Sequence, residues 1–273
     1  MPQPDRKPRG RPKSAFTDPA PQTMQALDRA LGVLHALARH DRASLTDLSL
    51  SLGIPTATTH RILTTLQKHR FAELDNTTQD WMVGIEAYRT GASFLKRMNL
   101  SDISRPVMRT LMQATGETAN LAIRDRAEVV FIGQIETPNP IRAFFNPGTR
   151  TPMHASGTGK AILATLPADQ LRALIQTSGL PAFTDHTLAT PAALFADLDQ
   201  TRIRGWSFDR EERHLGMSCI GAAIFDAQGE AVGGVSISGP SARFSTRTSM
   251  DYGAAVAAAA ADITRALGGH SPA

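Results

Sequence analysis

The chain contains a single cysteine, Cys219, among its 273 residues. One cysteine cannot form an intramolecular disulfide, so the sequence excludes a small secreted domain held together by disulfide bridges. The histidines that could bind a metal also lack metal-ligand spacing; they are His60, His69, His154, His186 and His214. We therefore expect no metal site and no bound cofactor.

Long apolar runs and aromatic residues are also scarce. Aromatic residues make up 5% of the chain, and no run of about 18 apolar residues or secretory signal can be found. We therefore expect a cytoplasmic protein that does not enter the membrane. A chain of this length is expected to form two domains with ample core.

Positive charge is unevenly distributed along the chain. Residues 1–80 carry eleven Lys or Arg against eight Asp or Glu, whereas residues 100–273 carry fifteen against sixteen. The formal net charge of +4 therefore comes from the front third of the chain. This asymmetry favours a nucleic-acid partner for the amino-terminal part and a different task for the rest.

Residues 44–74 read as a short helix, a turn, a longer helix and the start of a strand. Ser44 with Asp47 three residues later is close to a capping box, and Gly53 suits a helix end. Pro55 suits the first turn of the next helix. The strand-like residues 71–74 and 81–83 flank a turn-like segment and predict a hairpin wing. Together with a helix over residues 24–38, they predict a winged helix-turn-helix domain.

The outer face of the second helix carries the candidate DNA-reading residues. Arg can bridge guanine O6 and N7, and Thr can bond bases or touch a thymine methyl group. A lysine at the far end of the helix is better placed for phosphate. The candidates are Thr56, Ala57, Thr58, His60, Arg61 and Lys68. The same pattern also fits a plain helical hairpin with a solvated face.

The amino-terminal arm, residues 1–22, adds a second DNA signal. Residues 6–13 contain five basic residues, no acidic residue and nothing apolar to bury, so the arm is predicted to be disordered when free. Arg9 and Arg11 flank a glycine in an AT-hook-like core, which favours insertion into a narrow A·T minor groove. The alternative is a basic tail that contributes only salt-sensitive affinity.

The remainder of the chain predicts an α+β domain. Residues 85–99 are expected to form a linker helix, and strands over 118–123, 129–135, 206–208, 219–225 and 231–238 mix with helices. The glycine-rich segment from Ser156 to Lys160 invites a phosphate-loop interpretation. That interpretation fails because an upstream glycine is missing and Ala161 stands where Ser or Thr is required. Close packing at a helix start is the alternative, and Cys219 is more typical of a small core residue than of a nucleophile.

Across roughly residues 22–268 the chain resembles the IclR family of bacterial transcription regulators. The residues that carry this resemblance are Ala26–Leu31, Gly53–Pro55, Thr59–Leu63, Pro152–Ala161, Arg204–Trp206, Glu211–Glu212, Gly216–Ile220 and Ser236–Pro240. The resemblance implies a winged helix-turn-helix domain (23–84), a linker helix (85–100) and a GAF-like effector-binding domain (101–268), which follow the basic arm (1–22). It also implies dimers through the DNA-binding domains, which often pair into tetramers. The chain departs from the family pattern at residues 221–223, which read Gly-Ala-Ala.

The resemblance further implies an effector pocket involving Met153, Ala155, Gly159, Asp209, Cys219, Ser236 and Ser238. This set is most similar to members that sense glyoxylate or related small 2-oxo acids, and a sensor of an aromatic acid is the alternative. A compact anion is expected on the backbone N–H groups near residues 156–159. The main hypothesis is thus an effector-responsive regulator that binds operator DNA and is not an enzyme. A metabolic enzyme with a nucleic-acid-like front domain is the competing class.

Overall fold

The computed structural model describes residues 23–98 and 100–272 and divides the chain between Phe94 and Leu95 into two units. The elements of the first unit are α1 (Gln25–Leu37), α2 (Leu45–Leu52), α3 (Thr56–Lys68), β1 (Ala72–Leu74) and β2 (Trp81–Val83). Strands β1 and β2 pair antiparallel, and α4 (Ile85–Met98) follows them. The predicted winged helix-turn-helix fold is confirmed.

Short-range interactions fix the ends of the two helices in the helix-turn-helix. The Ser44 hydroxyl accepts a hydrogen bond from the Asp47 N–H at 3.1 Å, which begins α2. Gly53 ends α2 in the left-handed conformation, with φ of 61°, where a side chain would be strained. Apolar residues from every element then form one core, whose fully buried members include Val33, Leu37 and Leu63.

The second unit is built on a six-stranded antiparallel sheet in the order β5-β4-β3-β8-β7-β6. The strands are β3 (Thr118–Asp125), β4 (Glu128–Ile135), β5 (Arg150–Pro152), β6 (Ser207–Arg210), β7 (Met217–Phe225) and β8 (Ala231–Pro240). The helices are α5 (Leu100–Thr115), α6 (Gly157–Leu163), α7 (Ala168–Ser178), α8 (Pro191–Arg204) and α9 (Thr246–Ala266). This arrangement confirms the predicted α+β class with a GAF-like effector domain.

Alternate residues of the central strands face two separate cores, as the period of a strand requires. Leu121 of β3 and Ile220 of β7 pack with helices α5 and α9 on one face. Ala122 of β3 and Met153 pack with helices α6, α7 and α8 on the other face. The sheet is therefore covered on both sides, and the candidate site lies on the face that carries α6.

Residues 150–152 form the edge strand β5 because they pair with β4 in register. Helix α5 begins at Leu100 and runs through Pro106. Helix α6 ends at Leu163. No helix among the described residues is long and apolar enough to cross a membrane.

Candidate functional site

The proposed DNA-reading face of α3 is open to solvent. Thr56, Ala57, His60, Arg61 and Lys68 are exposed, and Thr58 is half-buried. The opposite side of the helix, including Thr59 and Leu63, is fully buried in the core of the first unit. The side chains that carry the DNA-reading hypothesis are therefore free to contact a groove. The other two candidates, Arg9 and Arg11, lie outside the described residues.

The wing beside α3 is held by an ion pair that the sequence did not suggest. Arg42 donates to Asp75 at 2.5 Å, and Asp75 also accepts from the backbone N–H of Thr77 at 2.8 Å. The hydrogen bond from Arg42 is the main reason why the pKa of Asp75 falls to about 2. The turn of the wing is thus organised around a carboxylate that stays ionised at neutral pH.

A cleft in the second unit collects four of the seven predicted effector residues. Ala155, Asp209, Cys219 and Ser238 line it. The other lining residues are Phe131, Phe145, Thr151, Ser156, Arg213, His214, Met217 and Ser218. Met153, Gly159 and Ser236 do not line the cleft. Met153 belongs to the core under α6, α7 and α8.

Strand register explains why three distant residues meet in the cleft. Asp209 of β6 lies directly opposite Cys219 of β7, and Cys219 lies directly opposite Ser238 of β8. Side chains at directly opposed positions point to the same face and have Cβ atoms about 5 Å apart. The register therefore places a carboxylate, a thiol and a hydroxyl in one row across three neighbouring strands.

Glycines let the start of α6 pack directly onto β7. A Cβ at Gly157 would lie 2.8 Å from the Cys219 sulfur, and one at Gly221 would lie 2.5 Å from the Thr158 nitrogen. The Gly159 N–H is already donated to the Ser156 hydroxyl at 3.2 Å, and a Cβ at Gly159 would overlap the Met153 backbone. The Gly159 N–H is therefore not free for an anion, and the anion site expected on the N–H groups of residues 156–159 stays a prediction. These glycines serve close packing, the alternative raised from the sequence.

Hydrogen bonds fix the orientation of the serine on β8. The Asn120 side-chain amide donates to the Ser238 hydroxyl at 3.2 Å, and the Gln134 side-chain amide donates to the Asn120 Oδ1 atom at 2.9 Å. The buried hydroxyl of Ser236 has no nitrogen or oxygen partner among the described residues, but it lies near the Cys219 thiol. Burial raises the pKa of Cys219 to about 11, and the nearby charge of Asp209 adds to this rise. The thiol is neutral at physiological pH and therefore a poor nucleophile.

A buried lysine lies behind the cleft and was missed in the sequence. Lys160 of α6 is fully buried, and its Nζ contacts Glu212 at 2.6 Å and Asp197 of α8 at 2.9 Å. It also donates to the Phe208 carbonyl oxygen at 2.6 Å. Four apolar residues follow Lys160 in the sequence, and this pattern indicates a buried helix. A lysine in such a helix could have been recognised as buried and therefore in need of acidic partners.

The carboxyls around Lys160 have unusual proton affinities. Burial raises the pKa of Asp209 to about 6, and Lys160 offsets part of that rise. Burial likewise raises the pKa of Glu212 to about 7, and Asp209 raises it further while Lys160 lowers it. Asp197 also lies 3.8 Å from the Arg204 guanidinium, which leaves Asp209 and Glu212 to share the single Lys160 ammonium, and one positive charge cannot balance both. The cluster therefore retains a proton near neutral pH.

An arginine at the cleft is the second residue that the sequence analysis missed. Arg213 lines the cleft, and its guanidinium carbon lies 3.9 Å from the centre of the Phe183 ring. His214 lines the cleft beside it, and partial burial, followed by the charge of Arg213, lowers the pKa of His214. A cation placed immediately after Glu211 and Glu212 at a strand end could have been noticed in the sequence.

The part of the chain that the structure describes contains no candidate metal site. Within residues 23–98 and 100–272, no group of three or more His, Cys, Asp or Glu side chains could hold a metal ion. The three acids near Lys160 are arranged around an ammonium group instead. What the cleft offers is a set of hydrogen-bonding groups next to a cation, an arrangement suited to binding a small polar molecule.

Comparisons with known proteins give one consistent result. The IclR helix-turn-helix domain matches residues 26–76, and the family described as bacterial transcriptional regulator IclR C-terminal matches residues 92–265. The HTH-type transcriptional regulator BhcR of Paracoccus denitrificans (strain Pd 1222) is 46% identical over 241 residues, which are 88% of this chain and 86% of BhcR. The transcriptional repressor IclR of Escherichia coli (strain K12) is 41% identical over 264 residues, 96% of each chain. The crystal structure of the Thermotoga maritima IclR matches with a TM-score of 0.75 and 27% identity, covering 90% of this chain and 100% of that chain.

Proposed function

Since the chain belongs to the IclR family of bacterial transcriptional regulators, we propose that a small carboxylate, glyoxylate in the first place, modulates its binding to operator DNA. The chain is a DNA-binding transcriptional regulator with a carboxy-terminal effector domain, and it is not an enzyme. In this proposal residues 1–22 form a basic arm, 23–84 bind DNA, 85–100 link the domains and 101–268 bind the effector. The regulator works in the cytoplasm as a homodimer or tetramer.

The DNA-binding part of the proposal rests on the exposed face of α3. The side chains of Arg61 and His60 are exposed on this face, so they are available to base edges. Lys68 stands at the end of the helix, where it can meet a phosphate. Thr56, Ala57 and Thr58 complete the reading surface at the start of the helix. Arg9 and Arg11 of the arm are proposed to enter the adjacent minor groove.

The size of the cleft carries the effector part of the proposal. The space open to the centre of a water molecule is about 30 Å³, and a single water needs roughly 10–15 Å³ on that measure. A compact acid fits such a space with less rearrangement than an aromatic acid, because the rings of Phe131 and Phe145 are part of the cleft lining. The polar groups at hand match a 2-oxo acid, because Ser238 can donate to a carbonyl oxygen and Asp209 can accept from a hydrate hydroxyl. We propose that Met153, Gly159 and Ser236 shape this site from behind without touching the effector.

Calorimetry on the full chain tests the effector. Titration with glyoxylate should give saturable heat, and glyoxylate should raise the thermal midpoint by mass action. Ser238→Ala should weaken binding because it removes a hydroxyl that faces the cleft. Ser178→Ala, at an exposed position on α7, is the matched control and should bind like the parent. If 4-hydroxybenzoate gives saturable heat and neither glyoxylate nor pyruvate does, the effector is an aromatic acid and the proposal of glyoxylate is wrong.

A DNA shift assay connects the two halves of the proposal. The full chain should retard a fragment of the DNA upstream of its own gene, and glyoxylate should change the fraction bound. An unrelated fragment of equal length and base composition provides the control. If glyoxylate binds in calorimetry but does not alter the retardation of the DNA, the bound acid is not the effector.

A further inference from the structure

We infer that Arg213 binds the carboxylate group of the effector and sets the preference of the cleft for acids. This inference rests on the proposed function, because it assumes that the ligand of this cleft is an acid. It adds a residue that neither the sequence nor the family resemblance suggested. A bound acid requires a cation near the cleft that is not already paired with a carboxylate of the protein.

Two of the three cationic candidates are already committed or uncharged. The Lys160 ammonium is fully buried and surrounded by Glu212, Asp197 and the Phe208 carbonyl oxygen. His214 has a pKa lowered by burial and by the charge of Arg213, so its imidazole is neutral at physiological pH. Among the described residues that line the cleft, only Arg213 brings a permanent positive charge to its wall.

The guanidinium of Arg213 is uncommitted in the part of the chain that the structure describes. No carboxylate of residues 23–98 or 100–272 lies within salt-bridge distance of it, and no hydrogen bond is formed by its N–H groups. By contrast, Arg150 is paired with Asp125 and Glu128, and Arg243 with Glu117. A planar fork of donors without a partner, on the wall of a cleft, matches the geometry of a carboxylate.

Arg213 is nevertheless held in position from one side. Its guanidinium stacks on Phe183, whose ring lies 5.9 Å from the His154 ring. The segment that carries Phe183 is tied to the segment that carries Arg213. The Thr184 hydroxyl donates to the Glu211 carbonyl oxygen at 2.7 Å, and the Thr187 hydroxyl donates to the Glu212 carbonyl oxygen at 2.6 Å. A side chain ordered before binding loses less conformational entropy when the ligand arrives.

These contacts give the effector a direction in the cleft. Its carboxylate faces Arg213, and its carbonyl or hydrate end faces the row formed by Asp209, Cys219 and Ser238. Reversal would place the carboxylate against the Asp209 carboxyl, which is unfavourable whenever Asp209 is ionised. Arg213 is therefore a specificity-determining residue that distinguishes an acid from the corresponding neutral molecule.

The test is calorimetric titration of the full chain with glyoxylate, using Arg213→Gln, Arg213→Lys and the control Arg172→Gln. Arg172 is an exposed arginine on α7. Hydrogen bonds to charged groups predict a loss of roughly 10- to 100-fold in affinity for Arg213→Gln. Arg213→Lys should recover part of this loss because it restores the charge without the fork, and Arg172→Gln should match the parent.

A second readout separates ligand binding from a merely structural role. The thermal midpoints of Arg213→Gln and Arg213→Lys without ligand should match each other, whereas their glyoxylate affinities should differ. Affinity of Arg213→Gln within about twofold of the parent would overturn the inference while the proposed effector stands. If the parent itself gives no heat with glyoxylate, the proposed effector fails. The same variants are then titrated with 4-hydroxybenzoate, which also carries a carboxylate, and an unchanged affinity there would overturn the Arg213 assignment.

Discussion

Replacing Glu212 with glutamine should weaken the pH dependence of stability in this protein. Glutamine keeps the shape of the side chain and an oxygen that can accept from Lys160, but it cannot bind or release a proton. Glu212 is 4% exposed and contacts a fully buried ammonium. The substitution therefore isolates the proton held by the cluster of Lys160, Asp197, Asp209 and Glu212.

The magnitude follows from the pKa of Glu212 in the folded state. Burial raises this pKa from 4.5 to about 7, so the folded state binds a proton more tightly than the unfolded chain. The stabilisation from this proton is fully present below about pH 4.5 and is lost as the pH rises through about 7. Each pKa unit corresponds to about 1.4 kcal/mol, so Glu212 alone should lower the free energy of unfolding by about 3 kcal/mol across this range.

Urea unfolding at about pH 5 and about pH 8 measures this loss. The parent and Glu212→Gln should have similar free energies of unfolding at the lower pH. At the higher pH the glutamine variant should be the more stable, by up to about 3 kcal/mol. Glu230→Gln, at an exposed position in the turn between β7 and β8, should follow the parent at both pH values.

The opposite result would refute this reasoning about the cluster. Removing one member of a favourable buried ion pair typically costs about 3–5 kcal/mol. If Glu212→Gln is less stable than the parent by that amount at about pH 8, the ionised pair with Lys160 outweighs burial. The pKa of Glu212 would then lie below neutrality, and the cluster would hold no proton there.

Three further predictions concern DNA binding and packing. Arg61→Ala should weaken operator binding by roughly 1–3 kcal/mol in fluorescence anisotropy, and full affinity in a normally folded variant would contradict its role. Deleting residues 1–14 should reduce both the affinity for operator DNA and its salt dependence. If the affinity falls equally on A·T-flanked and G·C-flanked sites, the arm contributes general electrostatic attraction and does not enter the minor groove. Gly32→Ala should stabilise α1 by about 1 kcal/mol, because a Cβ there meets nothing within 4 Å. Gly159→Ala should destabilise the folded protein by about 1–3 kcal/mol, because its Cβ would overlap the Met153 backbone. A higher thermal midpoint for Gly159→Ala than for Gly32→Ala would contradict both packing predictions.

The helix-turn-helix was predictable because its signals lie within a few residues of one another. The Ser44 cap, the left-handed Gly53 and the apolar spacing of α3 act over one or two helical turns. The same spacing determined which side of α3 is buried, and the structure places Arg61 on the exposed side. The α+β class was predictable for a similar reason, since strand and helix periods differ within short windows.

The candidate cleft was predictable only in part. The family resemblance suggested Asp209, Cys219 and Ser238, which the strand register brings into one row. It also suggested Met153, Gly159 and Ser236, which do not line the cleft. Which N–H groups at the start of α6 are free could not be predicted, because a sequence does not reveal which backbone a glycine will approach.

The sequence by itself determined the order of the elements, their amphipathic faces and the charge difference between the two parts of the chain. These properties follow from local sterics, hydrogen bonds within one turn and the identity of each side chain. Only the tertiary structure decided that Lys160 is buried among acids and that Arg213 has no acidic partner within residues 23–98 and 100–272. Those outcomes depend on α8 and on the segment carrying Phe183, because the partners of a charge are set by whichever distant elements pack around it.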